Sequence, residues 1–399
     1  PSMAIAELMR LLMDEHGLSW EDAWKVTVNV MSYTNHTIMA EAMERWDINM
    51  MQQEVPRVLQ IIQEIDRRFV LSLEGKYDQN FINRTRIIFN NQVHMAHLAI
   101  IGSHSINGVA KLHTELLKKE VLHDFYRLYP ERFNNKTNGV TLRRWMTIDN
   151  PRLAAILDQE IGSGWRKNPL ELEKLLKYRS NNKVLDQLIA AKQANKRDLA
   201  KFIKQQTGIE ISSKAIFDVQ IKRLHAYKRQ LLNLLRIVKL YQDLKANPNA
   251  DIYPRVFIFG AKAAPSYQYA KAVIKCINEV ANLVNNDPDI HDKLKVVFLE
   301  NYNVSLADRI IPAADVSEQI SLASKEASGT SNMKLMANGA LTVATMDGAN
   351  IEIHDYVGDD NIFTFGLSSK EVYRYYADNS YHASEYYEND PVIHRVVDA

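Results

Sequence analysis

Apolar residues recur at helical spacing through the first part of the chain. Four of them share one helix face, because Ile62 lies three or four positions from each of the others: Val58, Leu59, Ile62 and Ile65. The same spacing predicts helix across residues 93–119, interrupted near Gly102 and Gly108. Residues 151–206 continue a helical pattern that is rich in charge, as is typical of an outer helical layer. The sequence therefore predicts a mostly helical segment over residues 1–120 and a second helical stretch after it.

The period of the pattern changes near residue 216. Apolar and polar residues then alternate or form short buried runs, and helical stretches lie between them at 227–244 and 267–284. Six segments have the pattern of strands: 217–221, 256–259, 295–299, 316–320, 341–345 and 362–365. Strands that alternate with helices predict an α/β fold with a doubly wound, parallel, Rossmann-like sheet. Ligands of such sheets bind at the carboxyl ends of the strands, where we expect the chemistry of this chain.

Composition narrows the classes of function. The 399 residues include 49 basic and 48 acidic side chains, so no nucleic-acid surface is expected and any phosphate contact must be local. The one cysteine, Cys276, excludes an intrachain disulfide and a cysteine-based zinc site. His94 and His97 have metal-ligand spacing but lack an apparent third ligand, so we expect no metal site. No apolar run reaches the ~18 residues of a membrane span, and we expect a cytoplasmic protein with no membrane contact.

The first candidate site is a basic cluster between a predicted strand and a predicted helix. It comprises Lys222, Arg223, His225, Tyr227, Lys228 and Arg229. Cations oppose the dipole at a helix N-terminus, so such a cluster is favourable where an anion such as phosphate lies among them. A solvated basic face that happens to start a helix is an equally supported alternative.

The second candidate site is the segment 326–334, with the sequence EASGTSNMK. Small residues that enter a helix present backbone N–H groups to a phosphate, although the spacing is not that of a P-loop. Lys334 follows among apolar neighbours, where a lysine has a lowered pKa and can form a Schiff base. An ordinary exposed helix lysine is the usual alternative. A third segment, MDGAN at 346–350, is either a ligand-facing loop or a plain turn, and its spacing does not decide.

These motifs closely resemble those of one family. EASGTSNMK at 326–334 and NGALTVATMDGAN at 338–350 resemble the cofactor-lysine region of the glycogen and maltodextrin phosphorylases. KRLHAYKRQ at 222–230 resembles their phosphate-binding segment. Four further segments resemble the family in the same order along the chain: YTNHT at 33–37, GSHSINGVA at 102–110, NKTNGVTLRRW at 135–145 and IPAADVSEQIS at 311–321.

The resemblance implies an α-1,4-glucan phosphorylase of GT-B-type fold. Such an enzyme uses inorganic phosphate to release glucose 1-phosphate from the non-reducing end of glycogen or maltodextrin, with the phosphate of pyridoxal phosphate as proton relay. Residues 1–138 would be the C-terminal part of the N-terminal glucan-binding domain, and 139–399 most of the pyridoxal-phosphate-binding Rossmann-like domain. The resemblance covers roughly half of a full-length enzyme, which is expected to be a homodimer, so we expect this chain alone to be poorly active.

The resemblance also implies roles for single residues. Lys334 would bind pyridoxal phosphate covalently. The other residues expected to contact the cofactor are Thr330, Ser331, Tyr302, Trp145 and Lys222. The residues expected to act in catalysis are Lys222, Arg223 and Lys228, of which Arg223 and Lys228 would bind the substrate phosphate. The residues expected to bind the glucosyl unit are His36, Asn138, Glu326, Ser328 and Gly329.

Two other functions stay open at this point. One is a non-catalytic or truncated remnant that binds cofactor or glucan without turnover. The other is a nucleotide-sugar glycosyltransferase, which shares the fold and which the fold alone does not separate from a phosphorylase. Lys334 in its motif favours the phosphorylase, because nucleotide-sugar enzymes need no Schiff-base lysine.

Overall fold

A computed structural model of the chain describes residues 1–290 and 292–399. The chain forms two compact units. The first unit consists of Pro1–Asn138 and the short segment Ser324–Ser328. The second unit consists of Gly139–Ala323 and Gly329–Ala399.

The first unit is mostly helical, with two small sheets. Its α-helices are α1 (Ala4–Arg10), α2 (Trp20–Val30), α3 (Ile48–Glu54), α4 (Pro56–Leu73), α5 (Gln79–Thr85), α6 (Met95–Ile101), α7 (Lys111–Leu116) and α8 (His123–Leu128). Its strands are β1 (Ser32–Thr34), β2 (Arg45–Asp47), β3 (Ile88–Phe89), β4 (Gln92–His94), β5 (Ser105–Gly108) and β6 (Phe133–Asn135). Parallel pairing gives the order β1-β5-β6, and antiparallel pairing gives β2-β4-β3.

Helix α4 shows why this unit is helical. Its proline at the first position lacks only an N–H that would be unpaired there in any case. Its apolar residues form a single buried stripe, which includes Leu59, Ile62 and Phe69 at 0–5% exposure. The arginines and the glutamate of the same helix face outward, whereas Asp66 is buried and accepts from the N–H groups of Ile87 and Ile88. Burial of the stripe rather than intrinsic propensity therefore fixes the helix.

The second unit contains the long parallel sheet. Its α-helices are α9 (Pro151–Ile161), α10 (Asn182–Thr207), α11 (Gln230–Ala246), α12 (Gln268–Asn285), α13 (Val304–Ile310), α14 (Ser331–Ala337), α15 (Asn350–Val357), α16 (Ser369–Asp378), α17 (Ala383–Asn389) and α18 (Pro391–Val397). Its strands are β7 (Ile216–Ile221), β8 (Arg255–Gly260), β9 (Leu294–Leu299), β10 (Val316–Gln319), β11 (Leu341–Ala344) and β12 (Phe363–Thr364). A π-helical turn at Arg143–Ile148 precedes α9, and a 3₁₀ segment at Pro169–Tyr178 precedes α10.

All six strands are parallel and lie in the order β12-β11-β10-β7-β8-β9. The order runs outward in both directions from the pair β7 and β10, which is the strand order of a doubly wound sheet. The point where the order reverses is therefore the gap between the ends of β7 and β10. Ligands of such sheets bind there.

Helices cover both faces of this sheet. Alternate residues of β8 point to opposite sides, so Val256 and Ile258 pack with α10, α13 and α14, while Phe257 and Phe259 pack with α11 and α12. All four side chains are almost fully buried. A strand that is buried on both faces has a continuous apolar sequence, which explains the pattern at 256–259.

The predicted mixed α/β class and the parallel sheet are confirmed, and the strand bounds differ from the predicted ones by at most one residue. The predicted helix over 93–119 is wrong in detail: residues 92–94 and 105–108 pair as the strands β4 and β5. Helix α11 begins at Gln230 rather than at 227, because Arg229 adopts a left-handed conformation with φ of 59°. The outer layer is interrupted where 169–178 is 3₁₀.

Candidate active site

Two candidate residues from separate motifs meet at the switch point of the sheet. Lys222 directly follows β7, and its Nζ donates to Oε1 of Gln319, the last residue of β10, at 2.8 Å. Nε2 of Gln319 in turn donates to Oγ of Ser331 at 3.2 Å and to Oγ of Ser317 at 3.0 Å. Gln319 thus holds the ammonium of Lys222 and the hydroxyl of Ser331 at one edge of the sheet.

Buried amides hold the basic loop 222–229 in place. Nε2 of Gln230 donates to the carbonyl of Arg223, and Nε2 of Gln220 donates to the carbonyl of Lys228, both at 3.2 Å. Both glutamines are 2% exposed. The side chain of Arg223 is exposed, and the Nζ of Lys228 lies 4.6 Å from the ring centroid of Tyr227. Buried hydrogen bonds therefore fix the backbone of this loop, which is not simply a solvated basic surface.

Arg229 of this loop also turns inward. Its Nε donates to the carbonyl of Ile320 at 2.7 Å, and its second guanidinium nitrogen donates to the carbonyl of Ser321 at 3.2 Å. Burial lowers the pKa of the Arg229 guanidinium, and the nearby carboxylate of Asp347 partly offsets that effect. Arg229 therefore links the loop to the segment after β10.

The small-residue segment turns into α14 through a glycine and a hydrogen-bonded cap. Gly329 has a φ of +80°, a conformation that favours glycine, and a Cβ there would lie 3.2 Å from Nδ2 of Asn332. Thr330 is the N-cap residue, and its carbonyl accepts from the N–H of Lys334 at 3.1 Å. Asn332 is 1% exposed and donates to Oδ1 of Asn350 at 2.9 Å. Ser331 and Lys334 are three residues apart and so share one face of the helix.

The turn at 346–350 is hydrogen-bonded to the segment after β10 and to Asn332 of α14. Asp347 accepts from the hydroxyl of Ser321 at 2.7 Å, and Asn350 donates to the carbonyls of Gln319 at 3.2 Å and Thr345 at 3.0 Å. Asp347 and Asn350 are both nearly fully buried. These contacts show that the turn has a structural role next to the switch point.

Lys334 lies against the face of Trp145. Its Nζ is 3.9 Å from the ring centroid, a cation–π distance. Burial lowers the pKa of the Lys334 amine, and the nearby positive charge of Arg144 lowers it further. The carboxylates of Asp308 and Asp149 act in the opposite direction. The amine is thus easier to deprotonate than that of an ordinary surface lysine, as proposed from the motif.

Two carboxyl groups that the sequence did not single out border this amine. Asp308 on α13 forms an ion pair with Arg144 at 2.8 Å. Burial, and then the charge of Asp308, raise the pKa of Asp149 to about 6. These groups and Lys334 come from three separate stretches of chain, so no local motif could reveal the cluster.

Tyr302 follows β9 and packs over the end of β8. A Cβ on Gly260 would lie 3.2 Å from Cδ2 of Tyr302 and 2.9 Å from Cγ2 of Ile221, so only glycine leaves room for the ring. Burial, and then the charge of Asp308, raise the pKa of the Tyr302 hydroxyl to about 12. Asp308 is thus close enough to influence both Tyr302 and Lys334.

In the first unit, a buried histidine connects the segments that carry His36 and Asn138. Nδ1 of His113 accepts from the N–H of Val109 at 3.0 Å, so its Nε2–H faces Oδ1 of Asn35 at 3.2 Å. Burial lowers the pKa of His113 to about 4, which keeps it neutral at pH 7. The N–H of Asn138 donates to the carbonyl of Val109 at 2.9 Å, and His36 is exposed next to Asn35. Glu326 and Ser328 also belong to this unit, and Gly329 belongs to the second.

The described residues contain neither a cluster of three or more histidine, cysteine or carboxylate side chains placed to bind a metal ion nor a helix that is both long and apolar enough to cross a membrane. Burial lowers the pKa of His97 to about 4, and its Nδ1 donates to the carbonyl of Arg86 at 2.8 Å. His94 packs against the ring of His97 at 4.8 Å. Both histidines therefore have structural contacts within the first unit.

The second unit is thus an α/β unit in which Lys222, Gln319 and Ser331 form a hydrogen-bonded group at the switch point of a doubly wound sheet, and the amine of Lys334 has a lowered pKa. Residues 1–399 match the family model of the carbohydrate phosphorylases, and the chain belongs to that family.

Relatives named glycogen phosphorylase match the whole chain. The identity is 52% with the protein of Bacillus subtilis (strain 168), 50% with that of Synechocystis sp. (strain ATCC 27184 / PCC 6803 / Kazusa) and 46% with the muscle form of Bos taurus. The chain covers 50%, 47% and 48% of those three proteins. It therefore spans about half the length of the curated relatives that it matches.

Proposed function

We propose that this chain is part of an α-1,4-glucan phosphorylase that converts the non-reducing end of glycogen or maltodextrin and inorganic phosphate into glucose 1-phosphate. The observation that carries the proposal is that a hydrogen-bonded polar group and a half-buried lysine lie close together at one edge of the sheet. Lys222, Gln319 and Ser331 form a hydrogen-bonded group there, and Lys334 lies on the face of Trp145 one helical turn after Ser331. The relatives' printed name, glycogen phosphorylase, favours phosphorolysis over nucleotide-sugar transfer.

The donor set fits pyridoxal phosphate. The half-buried amine of Lys334 suits an aldehyde because its pKa is lowered, and the ring of Trp145 offers an apolar surface beside it. The ammonium of Lys222, the hydroxyl of Ser331 and the backbone at Thr330 suit a phosphate group. When bound, the cofactor supplies an ionisable phosphate that can pass a proton to the substrate phosphate. Tyr302, which is largely buried near Asp308, would help to exclude water.

The remaining roles concern the substrates. Arg223 and Lys228 would bind inorganic phosphate, since both lie on the anchored loop after β7. His36, Asn138, Glu326, Ser328 and Gly329 would bind the glucosyl unit. Cations around the phosphate stabilise negative charge, and adjacent anions stabilise an oxocarbenium-like transition state.

The architecture is part of the same proposal. Residues 1–138 would be the C-terminal part of a glucan-binding domain, and 139–399 most of the cofactor domain of a GT-B-type enzyme. The full-length protein would be a cytoplasmic homodimer. Because the chain spans about half of its relatives, we expect the isolated chain to turn over poorly.

A chimera tests this function directly. The chain replaces the matching half of the Bacillus subtilis glycogen phosphorylase, to which it is 52% identical. We expect release of glucose 1-phosphate from maltodextrin that requires inorganic phosphate and is lost in the Lys334→Arg chimera. A folded chimera that releases no glucose 1-phosphate, or that releases glucose without phosphate, would contradict the proposal.

A further inference from the structure

A buried asparagine connects the two backbones that carry Lys334 and Trp145. Asn338 directly follows α14 and is 3% exposed. Its Nδ2 donates to the carbonyl of Lys334 at 2.9 Å and to the carbonyl of Trp145 at 2.8 Å. One amide group thus fixes the spacing between the chain that carries the amine and the chain that carries the ring.

Two further asparagines fix the orientation of that amide. Nδ2 of Asn150 donates to Oδ1 of Asn338 at 2.9 Å, and Nδ2 of Asn195 donates to Oδ1 of Asn150 at 3.0 Å. Nη1 of Arg152 donates to Oδ1 of Asn195 at 2.7 Å, which fixes the direction of the chain of hydrogen bonds. If the amide of Asn338 were flipped, its oxygen would face the two carbonyl oxygens and its nitrogen would face the Nδ2 of Asn150, so all three hydrogen bonds would be lost. We call Asn338, Asn150 and Asn195 the asparagine clamp.

A partly buried lysine holds the backbone at the same point. Nζ of Lys192 donates to the carbonyl of Asn338 at 2.8 Å and to the carbonyl of Ala314 at 2.7 Å. A cation suits the C-terminal end of α14, where carbonyls lack helical partners. Since α14 has only seven residues and helices of fewer than ~12 residues are marginal alone, its place depends on such tertiary contacts.

We propose that Asn338 is a positioning residue that holds the amine of Lys334 against the ring of Trp145, and that Asn150 keeps its amide in the required orientation. The importance of this placement for catalysis rests on the proposed function of Lys334. The hydrogen bonds themselves do not depend on it. Without the clamp, α14 can rotate and Lys334 can leave the ring for solvent.

The readout is the ionisation of Lys334 in the cofactor-free chain. The charged groups that face its amine are Arg144 and Asp149 from the turn before α9 and Asp308 from α13. Acetic anhydride labels neutral amines, and mass spectrometry across a range of pH gives the labelling midpoint of Lys334, with the exposed Lys201 as internal reference. In the wild type we expect a midpoint below the ~10.4 of an ordinary lysine.

Two substitutions separate positioning from stability. Asn338→Ser removes the amide that donates to both carbonyls and adds no charge. Asn150→Ser removes the amide that donates to Asn338, also without adding a charge, and a serine at 150 still caps α9 by accepting from the N–H of Leu153. Asn278→Ser on the exposed side of α12 is the matched control. Far-UV circular dichroism and the melting temperature report the fold of each variant.

We expect the labelling midpoint of Lys334 to rise in Asn150→Ser while the fold is kept. A rise of one pH unit means about tenfold less labelling at a given pH below the midpoint. An unchanged midpoint in folded Asn150→Ser would overturn the proposal, even if Asn338→Ser fails to fold. Trapping of pyridoxal phosphate with borohydride on the wild type tests the cofactor role of Lys334 separately. Failure of the positioning proposal is therefore distinguishable from failure of the proposed function.

Discussion

Replacement of Glu318 by glutamine should stabilise the second unit, and increasingly so as the pH rises from 5 to 8. Glu318 on β10 is 2% exposed, and its Oε1 accepts from Arg236 at 2.7 Å. Asp218 on the neighbouring β7 is 1% exposed and accepts from Arg255 at 2.9 Å. Burial, and then the charge of Asp218, raise the pKa of the Glu318 carboxyl to about 8. The pair therefore holds a proton at neutral pH.

The contacts indicate where that proton lies. Asp218 Oδ1 is buried and, among the described residues, receives no hydrogen bond from a nitrogen or hydroxyl donor. A proton on Glu318 supplies that bond. A glutamine amide would donate in the same place while its oxygen still accepts from Arg236. The substitution thus keeps the shape of the pair and removes its titration.

The sign and size of the effect follow from the two pKa values. A glutamate in an unfolded chain titrates near ~4.3. Between that pH and about 8 the folded state binds the extra proton, so wild-type stability falls as the pH rises, by up to about 1.4 kcal/mol per unit. The total loss of stability is at most roughly 5 kcal/mol, and stability stops changing above about pH 8. Glu318→Gln lacks this loss.

Urea unfolding at pH 5, 6, 7, 8 and 9 measures the difference. Pulsed hydrogen exchange of peptides from β7 and β10 reports the second unit separately from the first. Glu279→Gln on the exposed side of α12 is the matched control and should show a constant difference from wild type. If the difference between Glu318→Gln and wild type does not change with pH, the carboxyl is not protonated in the fold and the reasoning is refuted.

Three other substitutions test the site. Gly260→Ala should cost ~1–3 kcal/mol in urea unfolding because its Cβ would lie 3.2 Å from Tyr302 and 2.9 Å from a β7 side chain. Gly139→Ala, with no atom within 4 Å, is its control, and equal stability of the two would contradict the packing argument. Arg223→Ala in the chimera should lower turnover by roughly 10²–10³ with an unchanged cofactor spectrum; near-normal phosphate kinetics would contradict a phosphate role. Glu326→Gln should raise KM for maltodextrin and keep the shape of the pH–rate profile, whereas a lost pH limb would indicate that this carboxyl is an acid.

The sheet was predictable chiefly from its inner strands, such as β7 and β8, because they are buried on both faces. Runs such as 256–259 and 295–299 are too apolar and too short for helices, and helical stretches separate them. The two small sheets of the first unit were missed, since their strands are two to four residues long and the period cannot be recognised over such lengths. The late start of α11 depends on the left-handed conformation of Arg229, which its buried contacts with 320–321 support.

The site was predictable only in its local parts. Lys222 and Ser331 belong to motifs that indicate phosphate binding, but the residue that joins them, Gln319, is a single polar side chain at the end of a buried strand. Asn338 contacts Trp145 across more than 190 positions of the sequence. Such partners depend on how the chain returns to the sheet, and no pattern within a short window contains that information.

Covalent trapping of pyridoxal phosphate in the chimera tests the central claim most directly. The cofactor is added, the protein is reduced with borohydride, and mass spectrometry locates the label. We expect one labelled lysine, Lys334, and no label in the Lys334→Arg chimera, which keeps the positive charge. A label on another lysine, or a folded chimera that retains no cofactor, would contradict the assignment of Lys334 as the cofactor lysine.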